Sequence, residues 1–173
     1  HGGKGLVCSL LEGSAREAEL KKAEGLKKVE ISPRVRGDLI MMGIGGFSPL
    51  EGFMTKADWK SVCENFTLAD GTFWPVPVML DASKEEADGI KVGDEIALVC
   101  KGETYATMKV TEKFVLTADE KKWECEKIFK GEGEDSADDK FWKIAEEDHP
   151  GVKMVMNQKE VSLAGPVKVL SEG

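Results

Sequence analysis

The residue types that most often carry chemistry are sparse in this sequence. His149 is one of two histidines, the other being His1 at the start of the sequence. A lone imidazole can move a proton near neutral pH, but nucleophilic or metal chemistry needs a second group beside it. Its place before Pro150-Gly151 reads as a helix end or turn. Cys8, Cys63, Cys100 and Cys125 are widely and irregularly spaced, with no Cys-x-x-Cys, so zinc has no support in the spacing. Cys63 and Cys100 fall on apolar faces, as small core residues do. Gly43-Ile-Gly-Gly46 could cradle a phosphate on backbone N–H groups, but a P-loop needs a strand before it and Lys-Ser/Thr after it. A helix stop and turn accounts for it better. The acidic pairs Glu85-Glu86, Asp138-Asp139 and Glu146-Glu147 read as solvated helix faces. Phe47, Phe53, Trp59, Phe73 and Trp74 could stack on bases, yet only Lys56 and Lys60 fall among them and no Arg does, so they read as core. The expectation is a chain with no catalytic, cofactor-binding or metal-binding residue of its own.

The elements that would position such residues follow from the periodicity. Ser14 and Glu17 form a capping-box pattern opening a polar helix to about Gly25. Ser32-Pro33 opens a second helix, with Val35, Leu39 and Met42 at helical spacing and Gly43 as its stop. Thr55 with Asp58 opens a third, whose Trp59, Val62, Cys63 and Phe66 make an apolar stripe. Trp74 to Asp81 reads as a strand entered through Pro75 and Pro77. Asp94–Cys100 and Thr104–Val110 alternate around Lys101-Gly102, predicting a β-hairpin. A helix is expected over Asp119–Lys130, a loop over Gly131–Asp135, and a helix after Ser136 carrying Phe141, Ile144 and Ala145. His149-Pro150-Gly151 would end it, with short strands near Lys153–Met156, Glu160–Leu163 and Val167–Leu170.

Composition bounds the function classes. The 173 residues carry 24 Lys and Arg against 32 Asp and Glu, a net charge of −8. Such a surface repels phosphate backbones and anionic lipid, so neither nucleic acid nor membrane is an expected partner. No apolar run reaches the length of a membrane span, and the cytoplasm is the expected compartment.

One segment goes beyond composition. Gly46-Phe-Ser-Pro-Leu-Glu-Gly-Phe-Met54 resembles the FSPLxGFM signature of the ATP sulfurylase (sulfate adenylyltransferase) family's amino-terminal domain. His1-Gly-Gly-Lys4, Trp74-Pro-Val-Pro-Val78, Leu80-Asp81, Ile96-Ala-Leu98, His149-Pro-Gly-Val152 and Gly165-Pro-Val167 match further family segments in order and spacing. Met41-Met42-Gly43 and Thr67–Gly71 look most like the dissimilatory branch. Cys8-Ser9 departs from the family's Asn-Arg, and the stretch Gly131–Glu147 is longer than usual.

The resemblance implies an α+β fold, a PUA-like small and mainly antiparallel β-barrel with flanking helices, as one domain over 1–173. Its parts would be a helical front to about 66, a barrel core at 67–118 and 152–171, and a helical insert at 119–149. It also implies structural roles for Phe47, Ser48, Pro49, Leu50, Gly52, Phe53, Met54, Trp74, Pro75, Pro77, His149, Pro150 and Gly151. The family's Gln-x-Arg-Asn, His-x-x-His and Gly-Arg-Asp-His motifs do not occur here: Gln158 is followed by Lys159-Glu160, and Arg16, Arg34 and Arg36 sit in neither arginine motif. The chain is thus expected to be a piece of a longer enzyme that makes adenylyl sulfate and pyrophosphate from ATP and sulfate with magnesium. Its partners would be the catalytic domain of the same polypeptide and a second copy in a homo-oligomer. The alternatives are a stand-alone PUA-like nucleic-acid-binding module and a small-ligand enzyme built on His149.

Overall fold

The structure, a computed structural model, describes Gly3, residues 5–129 and residues 149–173. Helix α1 (Gly13–Ala23) has Glu12 at its N-cap with no side-chain cap, so the Ser14–Glu17 box does not form; the helix begins before it. Strand β1 (Lys27–Glu30) follows, then α2 (Pro33–Gly43), where Ser32 accepts from the Val35 N–H and Pro33 takes the first helical position. A two-residue strand β2 (Gly52–Phe53) precedes α3 (Lys56–Asn65), capped by Thr55 as its sequence predicts. Trp59, Val62 and Cys63 are buried, whereas Phe66 ends the helix in a left-handed conformation and is 41% exposed. It therefore leaves the stripe that the spacing assigned it to.

The rest of the chain is mostly sheet. Strand β3 is only Leu80–Ala82, and residues 74–79 approach it without ladder pairing, because Pro75 and Pro77 donate no N–H. A four-residue helix α4 (Lys84–Ala87) leads to β4 (Glu95–Cys100) and β5 (Glu103–Lys109). Lys101 and Gly102, both at positive φ, make the expected tight turn between them. Strand β6 (Glu112–Val115) and helix α5 (Ala118–Ile128) come next, the latter held by a Thr117–Glu120 capping box. Lys130 and the expected loop and helix over 131–148, with Phe141, Ile144 and Ala145, lie outside the described residues.

Two corrections fall near the end. Lys153–Met156 is not a strand but part of helix α6 (Pro150–Met156), and His149-Pro150-Gly151 opens that helix rather than closing one. The two last expected strands are one strand, β7 (Val161–Val169), running through Gly165-Pro166. Gly165 and Pro166, which look like a break in the sequence, mark a contact between strands instead.

Strand β7 organises the sheet. Its first half lies between β3 and β6, its second half between β5 and β2, all antiparallel. Only β1 and β4 pair in parallel among the named strands. The sheet therefore curls around β7 into a half-barrel, mainly antiparallel as the expected barrel is, with α1 and α2 packed near its β5–β7 side. One core runs from Val29 through Leu39, Trp59, Leu98 and Met108 to Val169.

Candidate functional site

The signature segment folds as a corner after α2. Ile44 to Pro49 turn away from the helix, and the Ser48–Pro49 peptide is cis. Ser48 Oγ accepts from the Val7 N–H at 2.8 Å and donates to the Gly45 carbonyl at 2.7 Å, tying the amino-terminal segment to the turn. Leu50, Phe53 and Met54 are buried, and Phe47 and Pro49 are half-buried.

Gly52 is there for closeness, not for an unusual φ. A β-carbon on it would lie 2.7 Å from Pro166 Cα and closer still to the Gly165 carbonyl. The second signature segment meets the first directly. Phe47 and Trp74 pack edge-to-face at 5.6 Å, and the Met54 N–H donates to the Val78 carbonyl at 3.1 Å. Pro77 is half-buried and Pro75 is exposed.

The third segment lies apart, where α6 packs on α5. His149 Nδ1 accepts from the Gly151 N–H at 3.0 Å, so the imidazole caps α6 with Pro150 at the first position. Its ring lies 4.8 Å from the Phe129 ring, and a β-carbon at Gly151 would stand 2.6 Å from Phe129 Cζ. A nitrogen engaged as a helix cap is not free to act as a general base. Among the described residues, no group of three or more His, Cys, Asp or Glu is placed to hold a metal ion.

Several features were not anticipated in the sequence. Phe73, read as core, is 70% exposed, and Ile44 is 53% exposed. The Trp74 indole nitrogen is buried with no hydrogen-bond partner among the described residues. Under α3, Trp59 Nε1 donates to the buried Glu124 carboxyl at 2.7 Å, beside Trp123. Burial pushes the Glu124 carboxyl above the usual range, and the Trp59 bond with the Arg34 and Lys121 charges offsets this only in part. Burial likewise pushes the Cys63 thiol far up, as expected of an inert core cysteine. A single buried glutamate on a helix otherwise rich in charge leaves no signal in spacing.

A model of the PUA-like domain matches residues 1–172. The chain belongs to the PUA-like domain family. This PUA-like domain is 70% identical over 173 residues to the sulfate adenylyltransferase of Desulfovibrio desulfuricans, all of this chain against 40% of that protein. It is 68% identical over 174 residues to the sulfate adenylyltransferase of Desulfatibacillum aliphaticivorans, 99% of this chain against 41% of that one. The domain thus spans about two-fifths of the length of the relatives it matches. Among solved structures, a hexameric APS kinase from Thiobacillus denitrificans shares the fold, with a TM-score of 0.67 at 22% identity over 99% of this chain and 26% of its own. No helix among the described residues is long and apolar enough to cross a membrane.

Proposed function

We propose that this PUA-like domain is a non-catalytic scaffold within an ATP sulfurylase whose remaining polypeptide joins ATP and sulfate into adenylyl sulfate and pyrophosphate. The observation that carries the reading is the 70% identity along the whole chain to a sulfate adenylyltransferase that extends well beyond it.

The chemistry of the described residues agrees with a supporting role. Adenylyl transfer places several negative charges together, and stabilising them takes convergent cationic and backbone donors. The three arginines do not converge in that way. Arg16 Nε donates to the Leu170 carbonyl, Arg34 pairs with Asp38 at 3.3 Å, and Arg36 lies over the Tyr105 ring. The described residues offer no magnesium cluster, so no step is routed through that ion here; ATP and magnesium are assigned to the rest of the enzyme. The partners are the catalytic remainder and, for the whole protein, a second copy, with no nucleic acid and no membrane.

The test is pyrophosphate release with ATP, magnesium and sulfate. The intact polypeptide should turn over, and the 173-residue chain should give the no-protein rate. Turnover by the chain alone that His149→Ala abolishes would overturn the reading in favour of a small-ligand enzyme.

A further inference from the structure

Charged residues make up 32% of the sequence, yet residues 5–11, 39–50 and 71–80 carry none. The fold brings all three together. The Ser9 N–H donates to the Met42 carbonyl, the Val7 N–H to Ser48, and Phe47 meets Trp74 edge-on. Part of this uncharged material is core, but much of it faces outward. Leu6 is 69% exposed, Ile44 53%, Phe73 70% and Val76 46%. Leu6 and Met41 lie against the Gly45-Gly46 turn that Ile44 enters, and Phe47 of the same corner meets Trp74, the sequence neighbour of Phe73.

Scattered exposed apolar residues need no explanation, but exposed apolar side chains drawn from three uncharged segments that meet mark a contact surface. Its occupant follows from chemistry and length. Nucleic acid would need cations beside the aromatics, and these stretches contain none. The chain covers only 40% of its D. desulfuricans relative, so a body larger than this domain accompanies it there. Covalent attachment holds such a body at high effective concentration, so an apolar face of modest area suffices to dock it.

We propose that the face built from Leu6, Met41, Ile44, Phe47, Phe73 and Trp74 is the seat of the catalytic portion of the same polypeptide. The inference rests on the scaffold reading but is tested apart from activity. The corner then has two sides: Leu50, Phe53 and Met54 anchor it inward, Phe47 sits half-buried at its edge against Trp74, and Ile44 just before it faces outward.

Hydroxyl-radical footprinting of the intact polypeptide reads the face directly. Met41 and Met154 are 37% and 38% exposed in this domain, so alone they would oxidise alike. In the intact protein Met41 should oxidise roughly tenfold more slowly than Met154, as a residue carried into a packed interface does. Phe73→Asp should restore Met41 to the Met154 rate, while Val92→Asp, at a site 63% exposed elsewhere, should not. Equal oxidation of the two methionines in the wild type, or no difference between the two variants, overturns the proposal. So does protection of Met41 that disappears on dilution, which would make the occupant a second copy. Absence of pyrophosphate release would sink the enzymatic reading and leave this footprint to be judged by itself.

Discussion

Gly52 and Gly165 meet across the β2–β7 ladder with no room for a side chain between them. Phe53 pairs with Gly165 and Gly52 with Pro166, and a β-carbon on Gly165 would press on Lys109 as one on Gly52 presses on Gly165. Three backbones, those of β2, β7 and the end of β5, are thus stacked through two glycines. The neighbours are main chain and cannot swing aside. Gly52→Ala should cost at least about 1–3 kcal/mol, the usual range for overpacking. Gly37→Ala is the matched control, since nothing lies within 4 Å of its β-carbon position inside α2. That change should gain about 0.4–1 kcal/mol. Urea denaturation of the two variants should move the midpoint in opposite directions.

Ser48 joins the amino-terminal segment to the corner by both a donated and an accepted bond. Ser48→Ala leaves the Val7 N–H and the Gly45 carbonyl without that partner in a part-buried setting. A loss of about 1–3 kcal/mol is expected. Proteolytic sensitivity of residues 5–11 should rise in the same variant. Unchanged sensitivity would mean that the Met42 and Gly43 backbone bonds hold the segment alone.

Phe53 is 3% exposed and packed in the core, on the inward side of the same corner. Phe53→Ala should cost about 3–5 kcal/mol from lost transfer energy and the cavity left behind. A loss below about 1 kcal/mol in chemical denaturation would mean that the corner is a surface feature.

The legible parts of this fold were those where one local rule acts unopposed. Ser32 before Pro33 and Thr55 before Asp58 cap their helices as written, and Lys101-Gly102 turns the β4–β5 hairpin. The misread parts depend on distant partners. Lys27–Glu30 becomes a strand because β4 lies beside it in parallel, which four residues of polar-rich sequence cannot announce. Lys153–Met156 looks like a strand by its β-branched and apolar content, but His149 and Pro150 start a helix upstream and carry it through. Gly165-Pro166 looks like punctuation, yet it is where a strand must let another backbone in. At the signature, the motif itself was legible. The division of its aromatics between core and surface was not, because hydrophobicity alone gives Phe53 and Phe73 the same reading.

The His149 imidazole occupies the position usually held by Ser, Thr, Asp or Asn. Its Nδ1 accepts the Gly151 N–H, a bond that an asparagine oxygen can replace. His149→Ala should therefore cost about 1 kcal/mol, and His149→Asn much less. If the proposed function holds, pyrophosphate release per folded molecule of the intact polypeptide should be unchanged by either. A drop in turnover for His149→Asn at wild-type stability would give the ring a chemical role beyond the cap.

Glu124 offers a test through pH. Its carboxyl is buried on α5 and takes the Trp59 indole bond from α3, with Arg34 of α2 and Lys121 of its own helix as the nearby cations, and Cys63 close by. Burial raises its folded-state pKa above that of the unfolded chain, with the indole bond and the two cations opposing. The native state therefore keeps a proton that the unfolded chain gives up near the ordinary glutamate value of about 4.3. The stabilisation is complete below that pH and is lost as pH rises through the folded-state pKa. Other carboxyls, including Glu19 and Glu86, shift the opposite way, so total stability mixes several trends. Glu124→Gln removes one of them while keeping an acceptor for Trp59. The urea midpoint of the wild type minus that of Glu124→Gln should fall as pH is raised from about 4, then level off once the buried carboxyl has ionised. A difference that is flat, or that grows with pH, would mean the carboxylate is charged in the native state and held there by Arg34 and Lys121.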